Sequence, residues 1–161
     1  MKEKSQESSN PMDEYSHPIS ARNTELGRLF ILKPRQRPEK PGRSLRVLFD
    51  SRFPLIEDFK SEYLYTVIFE KIGNQAGNHY HKVKSELFYP IFGSFEIHMQ
   101  NPQNKKHEIV ELKAEDHVAL SVRPGIAHKV IAKDRNAILM VVATAPNVED
   151  DEFPYEINSS N

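Results

Sequence analysis

The chain has 161 residues, the length of one domain with a real apolar core. Lysine plus arginine number 22 and aspartate plus glutamate 23, so the formal net charge of −1 offers no electrostatic case for nucleic acid. There is no cysteine, which excludes disulfides and thiolate metal sites, and no apolar run approaches the ~20 residues that span a bilayer.

Residues 1–25, "MKEKSQESSNPMDEYSHPISARNTE", are polar and serine-rich and cannot bury enough apolar surface to offset ordering entropy. They read as a mobile arm. They also lack the apolar core of a signal peptide, so a soluble cytoplasmic protein is expected. A folded domain is expected over 26–157, with a frayed tail at 158–161. "GRLFIL" and "SLRVLF" are apolar runs too short for helices, separated by the proline-rich loop "RPEKPGRS". "FPLIEDFKSEY" (53–63) is the one stretch with room for a helical turn or two. "EYLYTVIFEK" alternates, placing Tyr63, Tyr65, Val67 and Phe69 on one face. "ELFYPIF", "SFEIHMQ", "HEIVELK", "HVALSV", "AHKVIA" and "AILMVVAT" follow as strands, the last as core. Turn formers separate them: "GNQAGN", "NPQNKK", "KAED", "RPG" and "AKDRN". Many short strands without long helices predict an all-β fold, a jelly-roll barrel of about eight strands.

"GNQAGNHYHKVKSELFYPIFG" (73–93) carries the chemistry. Side chains at i and i+2 of a strand share a face, so His79 and His81 point together with Tyr80 opposite. Neutral imidazoles bind Zn, Fe, Ni, Cu and Mn. Glu86 follows a short turn, and a hairpin return would lay it beside the histidines. Downstream, in "RPGIAHKV", Pro124 and Gly125 form a turn and His128 opens a strand. His98, His107 and His117 lie in strand-like runs with charged neighbours and read as surface residues. Tyr89 and Arg123 adjoin these key positions and read as pocket residues. Tyr80, Lys82 and Lys84 read either as contacts for an anionic substrate or as a solvated strand end.

These residues resemble the cupin superfamily. Its first motif, Gly-x5-His-x-His-x4-Glu-x6-Gly, is met at every spacing by Gly73, His79, His81, Glu86 and Gly93. Its second, Gly-x5-Pro-x-Gly-x2-His-x3-Asn, is met by Gly125 and His128. His117, Arg123 and Ala132 depart from it at the leading glycine, the proline and the asparagine. The resemblance implies a small β-barrel with His79, His81, Glu86 and His128 as ligands of a divalent transition metal (Zn, Fe, Mn or Ni), with open positions for catalysis. Within the superfamily, "GNHYHKVKSELF" is similar to the cupin domains of sugar-nucleotide 3,4-ketoisomerases. It is more similar, glutamate included, to those of capsular-polysaccharide biosynthesis enzymes that epimerise keto-sugar nucleotides. This implies an isomerase or epimerase acting on a nucleotide-linked 4-keto-6-deoxy sugar. By their place beside the motif positions, Arg123, Tyr89 and Lys82 are the expected substrate-binding residues, with the diphosphate meeting Lys82, Lys84 and chiefly Arg123. A metal-dependent dioxygenase and a non-enzymatic small-molecule-binding barrel are the alternatives. Cupin barrels commonly pair, so a homodimer is expected, with residues near Arg28 to Leu32 reaching the partner.

Overall fold

A computed structural model describes residues 18–36, 39–50 and 55–157. In chain order its strands are β1 (Ser20–Asn23), β2 (Gly27–Ile31), β3 (Arg35–Gln36), β4 (Ser44–Leu45), β5 (Tyr63–Phe69), β6 (Gln75–Tyr80), β7 (Glu86–Phe92), β8 (Ser94–Gln100), β9 (His107–Lys113), β10 (Val118–Val122), β11 (Ala127–Ala132), β12 (Ala137–Ala143) and β13 (Phe153–Pro154). One antiparallel sheet runs β1-β2-β10-β7-β12-β5 and faces a second, β13-β6-β11-β8-β9; β3 and β4 pair separately. This is the expected jelly roll. No helix among the described residues is long and apolar enough to cross a membrane.

Alternation within each strand sorts the core. Across the first sheet, Tyr65, Val141, Phe88, Leu120 and Leu29 are in register on the inner face. They meet Phe95, Ile97, Met99, Val110 and Val130 of the second sheet. The residues between them point outward. There Phe30, Leu87, Ala119 and Val142 form a second apolar cluster, covered by Leu48, Leu55, Ile56 and Phe59.

Several expectations are corrected. Residues 1–17 of the expected arm lie outside the described residues, as does the tail at 158–161. Residues Ser20–Asn23 instead pair with β2 along four positions, so the sheet begins before residue 26. The helical turns expected over 53–63 are absent from the described part, 55–62, which forms turns and bends. Only Ser44–Leu45 of "SLRVLF" is strand. The turn expected at "GNQAGN" gives way to β6, which starts at Gln75. With β1, β6, β13 and the β3–β4 pair added, the strands exceed eight. β2 is flanked by β1 and β10, so it is not an edge open to a partner.

Candidate metal centre

Two local features deliver the histidines. In β6, Gly77 has φ +92° where it faces a bulge in β11, and a Cβ there would sit 2.6 Å from the His128 carbonyl oxygen. Only glycine fits that close approach. It lets β6 bring His79 into register with His128. The Gly125 N–H then donates to the His81 carbonyl at 2.7 Å, tying the 123–126 turn to the end of β6. Glu86, first residue of β7, enters from the opposite sheet on the same inner row as Val122 and Ala143.

The result joins the four expected residues. One donor atom from each of His79, His81, Glu86 and His128 lies within 4.8 Å of the others. His128 Nε2 is 3.1 Å and His81 Nε2 3.8 Å from Glu86 Oε2. His81, Glu86 and His128 are buried, and His79 is 18% exposed, on the mouth side. His81 Nε2 and Glu86 Oε2 are buried atoms without an aligned hydrogen-bond partner. Orphaned polar atoms are costly unless something between them is to be bound. Three imidazoles and a carboxylate are a donor set that fits a divalent transition metal.

Supporting groups hold these side chains from behind. Nδ1 of His79 faces Glu152 Oε1 at 3.3 Å, and Nδ1–H of His81 donates to the Asp151 carbonyl. Both arrangements leave Nε2 for the centre. The Asp151 carboxylate accepts the backbone N–H groups of Lys82, Val83 and Lys84 at 2.8, 3.1 and 3.0 Å, fixing the turn between the histidines and Glu86. The Tyr65 hydroxyl donates to Glu86 Oε1 at 3.1 Å. Lys84 Nζ lies 3.3 Å from that same oxygen and bonds Asn147.

The electrostatics follow. Burial, then the neighbouring His128 charge, lowers His79 to about 4, with Glu152 acting the other way. Burial also lowers His81, partly opposed by the Asp151 carbonyl and Glu86. Burial would raise Glu86, but contact with His128, then Lys84 and His81, outweighs it and holds the carboxyl at about 2. Burial and the Glu86 charge push Tyr65 well above its ordinary range, so it keeps its proton. His79 and His81 are therefore biased toward the neutral imidazole and Glu86 toward the ionised carboxylate, the protonation states that ligands need.

The remaining site expectations divide. Arg123 is exposed and lines a cavity of about 300 Å³ with Asn23, Thr24, Arg28 and Ser121, which none of the four cluster residues lines. Lys82 is exposed at the mouth, its amine 3.9 Å above the Phe153 ring. Tyr89 is not brought to the cluster. It is one residue out of phase with Glu86 and Phe88, so it packs in the outer apolar cluster. Lys84 is 3% exposed and paired inward, not available to an anion in solvent. Of the histidines read as surface residues, His98 is 4% exposed and His107 and His117 are half-buried. His98 bonds Glu96 at 2.5 Å on the outer face of β8, beside Lys129, which reaches the Ile157 carbonyl. None of the three joins the cluster. Asp151, Glu152, Asn147 and Tyr65 were not among the expected site residues. Only the alternation of β5, which puts Tyr65 on the inner face, pointed to one of them.

The sequence matches the family described as Polysaccharide biosynthesis C-terminal domain over residues 49–152. No curated protein matches it. Several solved structures share the fold. A sugar 3,4-ketoisomerase from Thermoanaerobacterium thermosaccharolyticum in complex with TDP is 18% identical, with a TM-score of 0.65 over 84% of this chain and 90% of that one. A dTDP-4-dehydrorhamnose 3,5-epimerase from Bacillus anthracis is 14% identical, with a TM-score of 0.69 over 87% and 93%. A dTDP-6-deoxy-D-glucose-3,5-epimerase from Legionella pneumophila in complex with dTDP-4-keto-L-rhamnose is 15% identical, with a TM-score of 0.70 over 84% and 76%. The jelly-roll fold is thus one that these enzymes share.

Proposed function

The chain belongs to the Polysaccharide biosynthesis C-terminal domain family, and from that premise we propose that it isomerises or epimerises a nucleotide-linked 4-keto-6-deoxy sugar with the help of a divalent transition metal. The observation that carries the proposal is the convergence of His79, His81, Glu86 and His128 at the mouth of a barrel shared with TDP-sugar ketoisomerases and epimerases. These four residues would hold the metal. When bound, it supplies a Lewis acid that polarises a carbonyl oxygen.

The chain's own groups orient the cluster and bind the substrate. Isomerisation beside a ketone removes an α-proton and develops charge on oxygen. The Tyr65 hydroxyl keeps its proton and stays on Glu86, so it orients the carboxylate and is not the base. Tyr63 is on the same face of β5, 36% exposed, its ring 5.3 Å from Tyr65, and forms the rim against which the sugar lies. Arg123 and Lys82 are exposed, Arg123 in the turn whose Gly125 N–H meets the His81 carbonyl and Lys82 next to His81 in the chain, and they would take the diphosphate, Arg123 as a planar fork. A homodimer and a cytoplasmic location belong to the same proposal. The partner would meet β1 or β5, the outer strands of the larger sheet.

Protein purified without a metal-affinity tag should contain about one divalent metal per chain, and His81→Ala should lose it and stay folded. Incubation with a panel of 4-keto-6-deoxy nucleotide sugars in heavy water should place deuterium at the α-carbon. No exchange in metal-replete protein would overturn the isomerase reading in favour of the dioxygenase, if oxygen is consumed, or of simple binding, if it is not.

A further inference from the structure

We propose that Lys84 is a resident counter-ion of Glu86 and that, with Tyr65, it reserves one carboxylate oxygen, so that Glu86 serves the centre through its other oxygen alone and is charge-balanced with or without a metal. The inference deepens the metal reading above, and its first half stands or falls in metal-free protein.

Both charges are removed from water, Glu86 at 2% exposure and Lys84 at 3%. A lysine in a polar turn between a strand end and a carboxylate would ordinarily point its amine into solvent. Here the amine turns inward, to 3.3 Å from Glu86 Oε1, and Asn147 takes a second of its hydrogens. A buried carboxylate left without a partner is strongly destabilising, and a buried pair is tolerated when its remaining hydrogen-bonding capacity is met. Asn147 and Tyr65 meet it.

The division of the carboxylate is the second observation. Both donors outside the histidine cluster, the Tyr65 hydroxyl at 3.1 Å and the Lys84 amine, fall on Oε1. Both imidazoles near the group, His81 and His128, face Oε2, which has no aligned hydrogen-bond partner. Tyr65 comes from β5, two strands away across β12, and Lys84 from the turn before β7. Rotating Glu86 to offer both oxygens would break bonds to two separate elements. The ammonium also offsets the carboxylate charge, so the site does not need an ion to be electrically balanced. The barrel can lose and regain its metal without unfolding.

The test is a thermal-stability cycle on chelator-treated protein, with Lys84→Met, Glu86→Gln and the double variant. Lys84→Met should melt roughly 10 °C below wild type, and the double variant should recover most of that loss. Added zinc should raise the melting temperature of Lys84→Met more than that of wild type, because the ion then supplies the missing charge. If Lys84→Met does not fold, recovery of a folded double variant gives the same support. A double variant as unstable as Lys84→Met, or a Lys84→Met that melts like wild type, overturns the counter-ion. Tyr65→Phe should bind Co(II) about 10-fold more weakly, and unchanged affinity overturns the reserved oxygen. If zinc leaves wild type unmoved, the metal reading and the reserved oxygen fail together, and the metal-free cycle alone decides the counter-ion.

Discussion

The floor and the mouth of this barrel are built on the same strands by different means. At the floor, Phe69, Phe95, Ile97 and Leu112 are nearly inaccessible and belong to one apolar cluster, with Phe69 and Phe95 edge-on at 5.5 Å. Two facing sheets suffice to build it, because dispersion and burial have no direction. At the mouth, β6 with the residue after it, β7 and β11 carry three histidines and a carboxylate instead. Those groups are satisfied by the 147–152 segment, by Lys84 in the turn before β7 and by Tyr65 of β5. A polar pocket needs directional partners, and here the chain after β12 returns across the mouth to provide them. Glu149–Asp151 forms a short 3₁₀ turn there, and β13 pairs with β6 beside it.

Perturbing each region separately should sharpen this contrast. Phe95→Ala removes a ring at 0% exposure and should cost about 4 kcal/mol. Because the floor is remote from the ligands, zinc should still raise the melting temperature by as much as in wild type. Gly77→Ala meets the His128 carbonyl at 2.6 Å in a backbone region disfavoured for alanine, and should cost about 3 kcal/mol. Unlike the floor variant, it should also weaken metal binding, read by titration with Co(II), because the clash falls on His128 itself.

Acid should attack the mouth first. His79 is held at about 4, below its usual 6.5, so between those values the unfolded chain binds a proton that the folded chain refuses. Metal-free stability should therefore fall as pH drops from 6.5 toward 4, by about 2–3 kcal/mol. Glu86 then continues the loss: held at about 2, it contributes stability above the ordinary carboxylate value of 4.5 that disappears as pH falls through 2. Denaturant melts across pH 7 to 3 check this, and a flat profile above pH 4 would contradict the placement of His79. The smallest effect is expected for Asp151→Asn. The amide keeps an acceptor but loses the charge-assisted bonds to the N–H groups of Lys82, Val83 and Lys84, about 1 kcal/mol of stability. If the 82–84 turn is what separates the histidines from Glu86 correctly, this variant should also bind Co(II) more weakly, whereas Phe95→Ala should not.

Periodicity and spacing in the sequence determined the fold class, most strand positions from β5 to β12, and the four residues of the cluster. Those features are local: a two-residue repeat sets the buried face, and fixed offsets between histidines, glutamate and glycines survive in any chain that folds this way. The same logic misplaced Tyr89, whose adjacency to the motif is undone by the one-residue phase that sends it to the opposite face of β7. It also left Lys84 as a solvent cation. What surrounds the cluster was decided only by tertiary structure. Asp151 and Glu152 are separated from His81 and His79 by some 70 residues, and Tyr65 from Glu86 by 21. Alternation puts Tyr65 on an inner face, but no periodicity tells which distant side chain an inner-facing residue will meet. Hydrogen bonds and ion pairs act over a few ångströms, so partners remote in sequence become legible only when the closed barrel brings them together.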